Sequence, residues 1–293
     1  MTGRHDTVTP RGVGERVTLA CLWEAIAAKP GNVYRGADFD DMTFADMATS
    51  AVAIGAAVQA RCGAGSLGGV ALGSVQAMQA ATGKNTHLGT ILLLAPLAIA
   101  SSRGGDTLRG AAELVRTASA DDARGIYEAI RTAAPGGLGR VPRGDVAGEP
   151  TIGLLEAMQL AADRDLIARQ YTNGFEHVAA VAESISTRNQ GGRSLHDAVV
   201  AAHVELMGRE PDSLIARKCG PRVAKKSADR AAAVIAAGGI GSDAYNAALA
   251  DLDFWLRADG HRRNPGTTAD VIAAALFVLL SEGRIDLPLT FYG

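Results

Sequence analysis

The sequence predicts an all-α protein, a multi-helix bundle folded as one domain over residues 1–293, and three observations carry that expectation. Apolar residues recur three and four positions apart in most segments, the period of a helix with one buried face. Alternating runs bounded by turns, the mark of a half-buried strand, are scarce. Ser or Thr followed three positions later by Asp, a pair that can satisfy the open N–H groups of a helix start, occurs at Thr43/Asp46, Ser119/Asp122, Ser194/Asp197 and Thr267/Asp270.

Taken in order, Leu19, Leu22, Trp23 and Ile26 form the first stripe, and Phe44, Met47, Ala51, Ile54 and Val58 the second. A greasy run from Leu88 to Ala100 predicts a buried helix, as does Val271 to Leu280; both fall short of the roughly 18 apolar residues that span a bilayer. Between them, helices are expected over Leu108 to Ala118, Ile126 to Ala133, Phe175 to Ile185, Leu195 to Leu206, Val223 to Ile235 and Tyr245 to Leu256. No fixed-period repeat or linker divides the chain. Three stretches break the helical pattern: 29–42, 83–87 and 135–150. Long loops in a helical protein commonly carry function.

With 47% hydrophobic residues the chain can bury a large core, and a net charge of -2 gives no global field to draw nucleic acid or an anionic membrane. Three cysteines without a CxxC pair are read as reduced thiols, and the amino terminus lacks a signal-peptide pattern, so a cytoplasmic location is expected. Aromatics make up 4% against 35 glycines, which suits helices packed closely through small side chains. Such faces serve internal packing or a homodimer equally well.

The first loop gathers Lys29, Asn32, Arg35, Asp38, Asp40 and Asp41. Cations neutralise phosphate oxygens and hard carboxylates hold Mg2+, so this mixture suits a metal-bound polyphosphate, with Asp38 and Asp41 as the metal ligands. The plainer reading is a solvated loop whose aspartates serve turns. Asp38 to Asp41 also spells DxDD, the acid motif of helical terpene cyclases, but so few aromatics cannot line a carbocation pocket. At 83–87, Lys84, Asn85 and Thr86 precede a buried helix whose N–H groups suit an anion, and His87 is a candidate base or simply a packed cap. Further on, Arg217 and Lys218 lead into Arg222, Lys226 and Arg230 on one helical face, a phosphate grip or a solvated surface. Arg262, Arg263, Asn264, Thr267 and Thr268 precede the last helix as another anion site or an ordinary cap.

In this order the segments KPGNVYRGADFDDM from Lys29, NTHLG from Asn85, LIARKCG from Leu214 and NPGTTADV from Asn264 resemble the triphosphoribosyl-dephospho-CoA synthase family across most of the chain. The resemblance implies an all-helical transferase that joins ATP to 3'-dephospho-CoA, releases adenine and leaves a triphosphoribosyl group on a ribose hydroxyl. Departures are present: Leu88 stands where these synthases usually carry Lys, Asn264-Pro-Gly-Thr replaces Ser-Pro-Gly-Gly, and the loop from Arg140 to Glu149 replaces an Arg-Gly-Glu-Ala segment. The same transfer to another hydroxyl, such as that of a methanopterin-type precursor, and non-catalytic nucleotide binding stand as alternatives.

Displacing adenine from ribose C1′ passes through an oxocarbenium-like state, which asks for a polyphosphate grip, a base for the acceptor and an acid for the purine. Lys29, Arg35, Lys84, Arg217 and Lys218 are expected to grip phosphates, assisted by Asn32, Asn85, Thr86, Asn264, Thr267 and Thr268. Asp38, Asp41 or His87 is expected to take the acceptor proton, and Asp145 or Glu149 to protonate adenine. On this view Asp38→Ala lowers turnover by orders of magnitude and Arg35→Ala weakens ATP binding.

Overall fold

The computed structural model describes residues 12–136, 141, 143–285 and 287–293, so Arg140 lies outside the described residues. Among them the regular elements are all helices, with one isolated bridge between Tyr34 and Ala37 in the first loop. The first half holds α1 (Val13–Ile26), α2 (Phe44–Arg61), α3 (Leu67–Thr82), α4 (Leu88–Arg103), α5 (Thr107–Arg116) and α6 (Ala120–Ala133). The second holds α7 (Leu154–Ala161), α8 (Leu166–Asn173), α9 (Glu176–Gln190), α10 (Leu195–Arg209), α11 (Ser213–Cys219), α12 (Pro221–Ala237), α13 (Asp243–Arg257) and α14 (Gly266–Ser281).

Two helices are buried on every side. Thr90 to Ala100 in α4 and Val271 to Leu280 in α14 are buried without interruption, as expected for helices that are apolar all round. α14 packs on α4 and also on α1, α9 and α10, so elements from both halves close over it. No single helix among the described residues is long and apolar enough to cross a membrane. A second core joins α10, α11, α12 and α13 through Val204, Ile215, Val234, Tyr245, Leu252 and Leu256. A third, small cluster of Ala25, Val33 and Met47 with Phe39, Met42 and Phe44 lies under the 29–42 loop and pins it to α1 and α2.

Small residues are spent on contacts inside the chain. A methyl group on Gly14 of α1 would lie 2.4 Å from the carbonyl oxygen of Gly55 in α2, and one on Gly125 of α6 would lie 2.6 Å from the Cα of Gly68 in α3. These separations require bare backbone. The same composition hides α3 from a periodicity reading, because Gly68, Gly69 and Gly73 dilute its apolar stripe. Helices α7, α8 and α11, with 8, 8 and 7 residues, are too short to display a period, and the sequence pattern does not foresee them.

Three of the four expected caps form. Thr43 and Ser119 close reciprocal boxes with Asp46 and Asp122, and Ser194 accepts from the Asp197 N–H. The fourth does not: α14 already begins at Gly266, with no side-chain cap. Thr267 instead accepts a hydrogen bond from the Ser213 hydroxyl at 3.1 Å, and Asp270 turns to another helix. Tertiary donors win there because both side chains face into the protein, where an uncommitted carboxylate or hydroxyl is costly.

Candidate active site

A cavity of about 970 Å3 opens between the two halves, lined by the first loop, the start of α4, residues 141 and 143–146, α7, α8, α11 and the start of α14. Its volume lies at the upper end of the roughly 300–1,000 Å3 common for ligand pockets, room for large substrates.

The first wall is the 29–42 loop. Gly31 adopts a φ of 76°, which glycine tolerates, and its N–H donates to Asp253 Oδ1 at 2.7 Å. Asp253 also holds Arg257 at 2.9 Å, and that guanidinium lies over the rings of Tyr34 and Phe39. Asn32 donates from Nδ2 to Asn264 Oδ1 at 2.6 Å, which ties the first loop to the segment before α14. Its own Oδ1 is buried at the cavity without a partner. Phe39 stacks on His261 at 4.6 Å, and His261 Nε2 lies 3.3 Å from Asp41 Oδ1, so Asp41 is held at the cavity edge with its side chain 72% exposed.

Other members of this loop face elsewhere. Asp38 accepts the Phe44 N–H at 2.7 Å at the start of α2, outside the lining. Arg35 lies over the Tyr292 ring, 5.0 Å from its centroid, also outside the lining. Lys29 is fully buried: its Nζ sits 2.8 Å from Glu24 Oε1 and donates to the carbonyls of Glu24 and Ala27. A side chain so committed carries its charge to Glu24, and it is Glu24 that lines the cavity.

The second wall is the start of α4. Asn85 Oδ1 accepts the Leu88 N–H at 3.2 Å, and Asp270 Oδ1 accepts both the N–H and the hydroxyl of Thr90, at 2.8 and 2.6 Å. The positive end of this helix therefore already faces protein acceptors. Lys84 lines the cavity while paired with Asp46 at 2.7 Å, which pulls the Asp46 carboxyl down to about 2. His87 is 1% exposed, with Nδ1 2.8 Å from Thr86 Oγ1 and Nε2 unpartnered. Burial, aided by the Lys29 charge, lowers its pKa to about 4, so the ring is neutral at pH 7 and a weak base.

The third wall combines α11 and α14. Arg217 lies 3.9 Å from Asp165 Oδ2 with its Nε unbonded, and Lys218 is exposed beside it. Asn264, Thr267 and Asp270 line the cavity, but Thr268 does not: its N–H and hydroxyl both donate at 2.8 Å to buried Asp212, which also caps α11. Burial raises the Asp270 pKa to about 8 against the opposing Thr90 bonds, with the Glu24 and Asp212 charges adding to the rise. The basic face of α12 points away, with Lys226 and Arg230 over Trp255 and none of Arg222, Lys226 or Arg230 in the lining.

The structure thus gathers Asn32, Asp41, Lys84, Asn85, Thr86, His87, Arg217, Lys218, Asn264 and Thr267 around one space. Of the two carboxyls named as adenine acids, Asp145 is in the lining and accepts the N–H groups of Val141 and Ala147, while Glu149 is outside it, 3.7 Å from Arg131. Sequence reasoning passed over Glu24, Arg143, Arg164 and Asp165, and took Asp270 only for a cap. The available signal for Glu24 was a lone carboxylate inside an apolar stripe.

Fold and site together define an all-helical protein with one large cavity whose largely apolar wall is set with cations, amides and carboxyls. The sequence model of the ATP:dephospho-CoA triphosphoribosyl transferase family (CitG) matches residues 10–287, and the chain belongs to that family. It is a transferase whose substrates are ATP and dephospho-CoA. Among solved structures, the chain is similar to an Archaeoglobus fulgidus protein described as a "putative triphosphoribosyl-dephospho-coA synthase": identity is 28%, coverage is 82% of this chain and 99% of the other, and the TM-score is 0.62. No curated protein matches.

Proposed function

We propose that the transfer takes place in this cavity, with the triphosphate of ATP gripped by Lys84, Arg217 and Lys218 and the acceptor ribose admitted beside it. The observation that supports this is convergence: residues from four segments far apart in the chain line a single space. Such cations, placed before the charge develops, stabilise a polyphosphate at little reorganisation cost. Asn32, Asn85 and Asn264 form the neutral polar part of the wall, and their bonds to one another and to the α4 backbone fix its shape.

Asp41 is the carboxylate suited to Mg2+. Among the described residues no group of three or more His, Cys, Asp or Glu side chains could hold an ion alone. Mg2+ commonly takes one or two protein carboxylates and completes its shell with substrate phosphates and water, which fits one exposed Asp at the cavity edge. When bound, the ion supplies charge neutralisation at the phosphates. Asp38, spent on the α2 start, is left as a structural residue in this reading.

The lining comes from both halves of the chain, which supports reading it as one catalytic domain. The three cysteines are free, two of them buried, in keeping with work in the cytoplasm.

The test is incubation of the protein with ATP, Mg2+ and dephospho-CoA, followed by chromatography for adenine and mass analysis of the acceptor. Adenine release that depends on dephospho-CoA, lost in Asp41→Ala and Lys218→Ala, is expected. Release of ADP and phosphate instead, or adenine release indifferent to dephospho-CoA, overturns the reading.

A further inference from the structure

The cavity wall holds five carboxyl groups: Glu24, Asp41, Asp145, Asp165 and Asp270. Four are committed. Glu24 is ion-paired with Lys29, Asp145 accepts two backbone N–H groups, Asp165 caps α8, and Asp41 sits largely in solvent beside His261.

Asp270 differs. Both Thr90 donors go to its Oδ1, which fixes the carboxyl plane, while Oδ2 has no hydrogen bond among the described residues and lies over Gly89. A methyl group on Gly89 would come within 2.1 Å of that oxygen, so the glycine leaves its approach clear. The group is sunk in the wall, with part of its surface open to the cavity.

We propose that Asp270 is the general acid of the reaction, delivering a proton from Oδ2 to a ring nitrogen of the departing adenine. This rests on the cavity being the site of triphosphoribosyl transfer. As the bond from C1′ to the purine nitrogen breaks, its electron pair goes to the base, and the Asp270 O–H proton passes to adenine. The acceptor oxygen forms the new bond to C1′ and sheds its proton to solvent, from which Asp270 is recharged, so one proton leaves the acceptor and one arrives on the purine. Burial favours this role by holding the carboxyl protonated up to about pH 8. The groups facing it are Cys21 and Glu24 on α1, Asp212 at the start of α11, and the Thr90 hydroxyl on α4.

The test compares two donors in wild type and Asp270→Asn: ATP, and a triphosphoribosyl donor carrying p-nitrophenolate in place of adenine, a leaving group that departs as a stable anion. With ATP, Asp270→Asn should lose about 10²- to 10⁴-fold in turnover, the usual worth of a positioned acid, and lack the alkaline decline expected of wild type. With p-nitrophenolate the two proteins should differ little, and ATP should bind both equally. Equal losses on both donors, or an unchanged rate with ATP, overturn the assignment. Thr90→Val, which removes one donor to Oδ1, should move the alkaline limb of the wild-type profile to higher pH; an unmoved limb also overturns it. If wild type itself releases no adenine, the parent reading falls with it, whereas adenine release with an indifferent Asp270→Asn sinks this proposal alone.

Discussion

At the start of α2, Asp46 folds back on its own helix: its carboxylate accepts the Thr43 N–H and hydroxyl, both at 2.8 Å, and pairs with Lys84. At the start of α14, Asp270 stands three residues after a threonine in the same way, yet it crosses to α4 and accepts the Thr90 N–H and hydroxyl at nearly the same distances. The two carboxylates make like bonds and end in opposite states. Asp46 is partly open to solvent and beside a cation, and its pKa falls to about 2; Asp270 is sunk among helices with Glu24 and Asp212 nearby, and its pKa rises to about 8. Surroundings outside the Thr-x-x-Asp pattern decide which outcome follows: hydrogen bonds favour the charged form in both, Lys84 strengthens that at Asp46, and burial with the Glu24 and Asp212 charges reverses it at Asp270.

The largest effect should come from breaking the ion pair that keeps Glu24 quiet behind Asp270. Lys29→Met leaves a buried carboxylate with no cation, a loss of roughly 3–5 kcal/mol, read as a lower midpoint in urea unfolding. Because Lys29 is sealed away, ATP affinity of the folded fraction should change little, whereas Lys84→Ala should weaken it measurably. A Lys29→Met protein of wild-type stability would refute the buried-pair account.

Next is the floor under Asp270. Gly89→Ala places a methyl group 2.1 Å from Oδ2, and overpacking of this kind costs roughly 1–3 kcal/mol. Turnover should fall with it, because the carboxyl must leave its bonds to Thr90. If the variant keeps both stability and rate, Asp270 has room to move and its fixed orientation is not needed.

At the start of α2 the corresponding change is milder. Thr43→Ala removes the cap and should cost about 1 kcal/mol, with turnover close to wild type once folded. A large loss of turnover would mean that the cap positions Lys84 through Asp46, making the two helix starts more alike than their geometry suggests.

These contrasts also mark what was legible before the fold was known. Stripes such as Phe44, Met47, Ile54 and Val58 announce α2 because a surface helix must show one apolar face, and the all-apolar runs announce α4 and α14. The short α11 and the glycine-rich α3 carry no such contrast, since their places are set by what packs on them. In the site, residues on loops were legible as polar clusters, and Asp41, Asn85 and Lys218 do meet in one cavity. Lys29, Arg35, Asp38 and Thr268 belong to the same clusters but turn to partners that no local pattern names: Glu24, Tyr292, the Phe44 N–H and Asp212. Glu24 and Asp270 were hidden for the converse reason, because a buried carboxyl on a helix is written in the same letters as a surface one.

The smallest expected effect isolates the charge on Asp46. Its folded pKa lies below the ordinary value of 3.8, so the stability it contributes is fully present above about pH 4 and is lost as the pH falls through about 2. Asp46→Asn keeps the N–H that Thr43 accepts and removes only the charge. Thermal unfolding of the two proteins should therefore differ by about 0.3–1 kcal/mol at neutral pH, the worth of a carboxylate near a helix start, and the curves should converge below about pH 2. A gap that persists into acid would show that Asp46 acts through shape rather than charge, which would remove the electrostatic contrast with Asp270 while leaving the difference in burial.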